Sequence, residues 1–160
     1  MATDEKAAVA PAQARDYALV NGSYMTALAG LALALHRRDG DRDDPLSVRE
    51  IVLLCMATFT IADVFAHERI ATWIRAPFDV ETEDHRPGQP RGSGFRRTIG
   101  ELMACSRCVG SWGALGLMAL RTASPPAAGV VTTVFAAAAA NDFLQAGFRL
   151  MVDEDKELEA

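Results

Sequence analysis

Apolar and polar positions along this chain are segregated into blocks. Tyr17 to Leu35, "YALVNGSYMTALAGLALAL", is nineteen residues without a charge, closed by Arg37 and Arg38. A hydrocarbon core about 30 Å thick needs roughly 20 helical residues, so this segment has the length of a membrane helix. Asn21, Ser23 and Thr26 are mild polar residues that neighbouring helices can satisfy. A second apolar block, Ile51 to Ala66, is marginal in length and contains Asp63. A third runs from Leu102 to Leu120 with Arg107 near its start; its charge-free part, Cys108 to Leu120, is thirteen residues. A fourth, Thr122 to Asn141, is charge-free until Asp142. Leu31 to Leu35 and Val130 to Ala140 are apolar around the whole helix, whereas helices of a soluble bundle carry a stripe. The pattern predicts an all-α, polytopic membrane bundle of about four transmembrane or half-spanning helices, with segments two and three the shortest.

Between the second and third blocks lies "AHERIATWIRAPF", Ala66 to Phe78. Ala66, Ile70, Trp73 and Ile74 recur at helical spacing, while His67, Glu68, Arg69, Thr72 and Arg75 fall elsewhere. This predicts a short amphipathic helix at the headgroup level, ended by Pro77. Asp79 to Thr98 follows, with two prolines, three glycines and many charges, and reads as a flexible loop. The domain organisation expected is a polar arm over 1–16, one helical membrane domain over 17–152 and an acidic tail over 153–160. That tail, "DEDKELEA", has five carboxylates against one lysine and reads as solvated and disordered.

Charge sets the orientation. With four spans, the N-terminus, the 67–107 stretch and the C-terminus share a side carrying Lys6, Arg15, Arg69, Arg75, Arg86, Arg91, Arg96, Arg97, Arg107, Arg149 and Lys156, eleven cations. The other side has five: Arg37, Arg38, Arg42, Arg49 and Arg121. The positive-inside rule then puts both termini in the cytoplasm. The formal net charge is −5, and no basic face points to nucleic acid. The N-terminal stretch lacks the layout of a cleaved signal. Three cysteines, one of them (Cys55) inside an apolar block, do not form a secreted disulfide framework.

The blocks "TFTIADVFAHERIATWIRAPF" and "GELMACSRCVGSW" together resemble a small bacterial membrane-protein family, domain of unknown function 1360, the YjcA-like, sporulation-associated proteins. Arg75, Pro77 and Phe78 match its first motif. Gly100, Glu101, Leu102, Cys105, Cys108, Gly110 and Trp112 match its second. The resemblance covers roughly residues 50 to 145. Two departures stand out. Ser106 replaces the proline of the family's Cys-Pro-x-Cys, and Ile61-Ala62 with His67 to Ile70 replaces its Thr-Arg and Asp-Lys-Ile blocks. The resemblance implies a topology and an association with sporulation, and no established activity.

Chemistry concentrates at Cys105-x-x-Cys108. Two thiolates supply half of a tetrahedral zinc site. The rest can come from His67, from His85 or from a second copy of the chain; Cys55, in mid-segment, is out of reach. A helix N-terminus beside Arg107 would also favour a thiolate for redox work, although no thioredoxin-like βαβ pattern is present. A third reading is packing alone, with Gly110, Ser111, Gly113, Ala114 and Gly116 allowing close helix approach. The run Ala136 to Ala140 reads as another such face. Asp63 and Asp142 lie near the ends of apolar segments and are functional suspects; Asp63 can pair with Arg69 or Arg75, and Asp142 with Arg149. Glu101 can cap the third segment or pair with Arg97. "GSWG" is not a nucleophile elbow, and neither a serine–histidine–acid set nor a phosphate loop is present. Two functional classes follow. The favoured one is a non-enzymatic membrane scaffold or accessory subunit, whose cytoplasmic cysteine face binds zinc or dimerises and whose partners are the lipid bilayer, a second copy or other membrane proteins. The alternative is a membrane thiol oxidoreductase or small transporter using Cys105 and Cys108 or Asp63 and Asp142.

Overall fold

A computed structural model describes residues 14–38, 46–78, 90 and 93–158. Every regular element among them is helical. Helix α1 is Ala14–Arg38, α2 is Val48–Ala66, α3 is the single turn Thr72–Arg75, α4 is Phe95–Ala104, α5 is Ser106–Ala123 and α6 is Pro125–Leu158. Short 3₁₀ turns, Arg69–Ala71 and Ala76–Phe78, flank α3. Two helical stretches are long and apolar enough to cross a membrane: Ala14–Arg37 and Pro125–Asp153. A third span is added if α4 and α5, which meet at a bend of 87°, count as one broken span.

Burial supports a lipid surrounding. Among the described residues the buried apolar set is seven alanines and two leucines, Leu115 and Leu117. The large apolar side chains are on the outside: Leu19, Val134 and Leu144 are more than 60% exposed. Small residues inside and large ones outside is how helices pack when lipid, not water, covers the surface. Ser23 donates to Val20 O at 2.7 Å and Thr26 to Gly22 O at 2.8 Å. These two hydroxyls of α1 are therefore satisfied within the helix rather than by neighbouring helices.

The chain forms two compact units, Met1–Ala34 with Asp63–Val109, and Leu35–Ala62 with Gly110–Ala160. In the second unit α2, α5 and α6 pack on one another. Arg121, in the last turn of α5, donates to Glu50, in the first turn of α2, at 2.5 Å. α5 therefore runs antiparallel to α2. Gly113 sits where a Cβ would come 3.2 Å from Ile61 Cγ2, the close approach between those two helices. Thr60 donates to Phe135 O at 3.1 Å, and the rings of Phe59 and Phe143 stack at 5.3 Å, which places α6 along α2. Within the alanine run, Ala136 and Ala139 are buried and Ala137 and Ala138 exposed, so one face of it packs.

Helix starts follow local chemistry. Ser47-x-x-Glu50 is a capping box: Ser47 N and Oγ both donate to Glu50 Oε2 at 2.9 Å, and Glu50 N donates back to Ser47 Oγ at 3.3 Å. The Ser47 amide and the Arg121 guanidinium hold the Glu50 carboxyl down at about 2. α6 begins on Pro125, whose missing N–H is no loss at a first helical position.

Three boundaries differ from expectation. Residues 14–16 of the polar arm are helical, and residues 1–13 lie outside the described residues. Phe95 to Thr98, read as loop, form the first turn of α4; 79–89 and 91–92 lie outside the described residues. The start is set by Gly94, at φ +63°, a conformation that glycine adopts without a steric penalty. α6 continues through Leu158, across most of the acidic tail. Glu, Lys and Leu are strong helix formers, and the long helix before them has already met the nucleation cost.

Candidate functional site

The first unit assembles most of the motif residues. α2 ends at Ala66, leaving carbonyls with no intrahelical partner. Arg75, fully buried, closes that end: Nη1 donates to Phe65 O at 2.7 Å and Nη2 to Glu68 O at 2.8 Å. The stretch expected as one amphipathic helix is thus broken into short turns, with Arg75 buried. Ile70 and Trp73 are each 75% exposed. They form the apolar outer side suited to headgroups. Burial lowers the Arg75 guanidinium from its ordinary value, and Glu68 opposes the shift. Pro77 lies in the turn after α3, and its carbonyl accepts Arg96 Nε at 2.8 Å. Phe78, half-buried, ends that turn.

α4 carries the next part. Gly100 and Thr98 are buried, and Thr98 is 1% exposed. Glu101 pairs with Arg97 Nε at 2.8 Å, as its spacing allows. It also accepts the Tyr17 hydroxyl from the first turns of α1. Sequence reasoning missed Tyr17, because 84 residues separate it from Glu101 and no spacing rule connects them. Asp16, 5% exposed, lies beside the start of α4, with Oδ2 4.0 Å from the Cβ position of Gly94.

The cysteine pair occupies the break between α4 and α5. Cys105 is extended, at φ −96° and ψ 102°, and its N–H donates to Leu102 O at 3.2 Å. Its sulfur accepts the Cys108 N–H at 3.3 Å. Cys105 is thus the N-cap of α5, with sulfur in the role that serine or threonine oxygen usually plays three residues before a backbone donor. Both thiols are free and half-buried. This cap was legible as a spacing but hidden by residue type, since cysteine is not among the preferred caps.

Other expected partners divide. Asp63 pairs with His67 Nδ1 at 2.9 Å, not with Arg69 or Arg75, because Arg75 is engaged by carbonyls. His67 is in this way committed to Asp63. Among the described residues no three His, Cys, Asp or Glu side chains group around a metal position, so neither His67 nor Cys55 completes the Cys105–Cys108 set there. His85 lies outside the described residues. Cys55 is exposed on α2. Asp142 is exposed and makes no ion pair with Arg149 among the described residues. Gly110 is buried in the second unit, with Ala62 Cβ and Thr58 Cγ2 at 3.6 and 3.7 Å from its Cβ position, which is ordinary contact. Trp112, two residues on, is half-buried.

Comparison with known proteins gives a family without an activity. A relative named "Sporulation protein YjcA", from Bacillus subtilis (strain 168), is 33% identical over 85 residues, covering 49% of this chain and 72% of that protein. No solved structure matches. The model of the family described as "Protein of unknown function (DUF1360)" matches residues 53–148. That range takes in most of α2, the Arg75 turn, α4, the cysteine break, α5 and most of α6, over half of the chain, and the chain belongs to this family.

Proposed function

We propose that this chain is a multi-pass protein of the bacterial cell membrane, with both termini cytoplasmic, acting as a non-enzymatic scaffold or accessory subunit. In this reading α1, α2, α5 and α6 are four passes, and α3 and α4 form a cytoplasmic collar at the membrane surface. The lateral packing of α2 against α5 and α6 supports counting it as a pass despite its length. Cys105 and Cys108 are half of a zinc site on that collar, and a second copy of the chain supplies the other half. One observation carries this: two free, half-buried thiols held together at a helix start, in a chain whose described residues bring no third ligand to them. A tetrahedral thiolate site needs four donors, and two copies provide them. The relation to a protein named for sporulation makes spore formation the process in which to seek a phenotype.

Metal analysis of the detergent-purified protein, with its mass in solution, tests the reading. The expected result is one zinc per two chains, lost together with the dimer in Cys105→Ser/Cys108→Ser. Serine oxygen still caps α5, so that variant keeps its fold. Metal-free protein whose thiol pair cycles to a disulfide at a defined potential would instead establish the oxidoreductase alternative.

A further inference from the structure

The second unit contains a cavity of about 640 Å³ between α2, α5 and α6, reached also by Leu35 and Leu46. That volume is in the range of small-molecule sites, about 300–1,000 Å³. Its lining is graded. Glu50 and Arg121 lie at one end, where α2 begins, α5 finishes and α6 starts. Leu53, Leu54, Leu117 and Ala128 line it further along those helices. Thr132 and Thr133 lie among them on α6, so the wall is mostly but not wholly apolar, and a charged end with leucines further in matches an amphiphile rather than a purely polar solute.

Counting donors and acceptors decides the sign of its head. Glu50 Oε2 already accepts two bonds from Ser47, and Oε1 accepts Arg121 Nη1. The carboxylate is occupied and offers little to a cationic head. Arg121 has five N–H donors. Among the described residues Glu50 is its bonded partner, through Nη1. The guanidinium is therefore held in place by Glu50, 38% exposed, with donor capacity to spare. An arginine fork with spare donors is the group that recognises phosphate.

We propose that this cavity holds one acyl chain of an anionic phospholipid, with its phosphate on the spare N–H groups of Arg121 and its tail against Leu53, Leu54 and Leu117. The site is separate from the cysteine pair and stands or falls independently of any metal there.

The structure supplies a variant that fills the cavity without removing charge. Gly129 lines it, and a Cβ there meets nothing within 4 Å. Gly129→Leu fills the space, and leucine is the better helix former, so the fold is retained. Gly147, on the same helix and outside the cavity lining, is equally open, and Gly147→Leu is the control. The measurement is native mass spectrometry of the full chain in detergent, titrated with phosphatidylglycerol or with diacylglycerol of the same chains, which lacks the phosphate. Wild type is expected to hold phosphatidylglycerol about fivefold more tightly, the worth of one interfacial arginine of about 1 kcal/mol. Arg121→Gln should reduce phosphatidylglycerol to the diacylglycerol level. Gly129→Leu should lose both lipids, and Gly147→Leu neither. Equal binding of the two lipids by wild type, or undiminished binding by Gly129→Leu, would overturn the proposal.

Discussion

Around Arg75, α4 and the cysteines, the chain is held by long polar side chains that reach backbone carbonyls and one another: Arg75 to Phe65 and Glu68, Arg96 to Pro77, Arg97 and Tyr17 to Glu101. Between α2, α5 and α6 the contacts are Ala57, Ala62, Gly113, Ala136 and Ala139, with an ion pair at one end. The first unit has to fold irregular backbone, with a helix end, two 3₁₀ turns and a sharp break, and each leaves polar groups to satisfy. The second unit has regular helices whose backbone is already paired, so close approach is what remains to be gained. The same chain uses hydrogen bonds where its helices stop and small residues where they run on.

That contrast can be broken at its strongest point by Arg75→Ala. The variant takes the charged donor from Phe65 O, in the last turn of α2, and from Glu68 O, which keeps the Ala71 N–H, and the expected loss is about 2–3 kcal/mol in a thermal or denaturant melt in detergent. Arg75→Lys should recover part of it, since one ammonium cannot hold both carbonyls in the geometry of a planar fork. A melt no different from wild type would show that the helix end is satisfied another way. Next in size is Gly113→Val, which drives a branched side chain into Ile61. A loss of about 1–3 kcal/mol is expected, while Gly116→Val, at a site open to 4 Å, should be neutral within experimental error. Equal effects at the two glycines would remove the close-approach argument.

Smaller effects test the capping chemistry. Ser47→Ala should cost about 1 kcal/mol through the lost capping box. Glu50 gives that box a pH dependence. Its carboxyl is held at about 2 in the folded protein against an ordinary 4.5, so its contribution is complete above the ordinary value and declines as the pH falls toward 2. Melting temperatures measured from pH 6 down to pH 3 should fall less steeply in Glu50→Gln, which lacks the titrating group. A parallel decline in both proteins would show that Glu50 is not the group responsible.

The apolar blocks made the helices legible. Tyr17 to Leu35 lies within α1, and Ile51 to Ala66 within α2, because runs of that length admit no other regular structure in lipid. The partners at helix ends were less so. Ser47-x-x-Glu50 is a sequence signature of a helix start and marks α2 directly. Cys105-x-x-Cys108 has the same spacing, but sulfur in the cap position makes it look first like a metal knuckle. Its period puts Arg75 on the polar face, and its burial depends on the helix breaking after Ala66 into short turns, which no periodicity encodes. The bond from Tyr17 to Glu101 belongs to tertiary structure alone.

Central to the function proposed here is a thiol pair that faces the cytoplasm and is masked by a shared metal. Its most direct test is maleimide labelling of membrane vesicles of known orientation, in a Cys55→Ala background so that only Cys105 and Cys108 report. The expected result is labelling by a membrane-impermeant reagent only in inverted vesicles, and only after a zinc chelator is added. Labelling from the outer side, or full labelling of inverted vesicles without chelator, would contradict it.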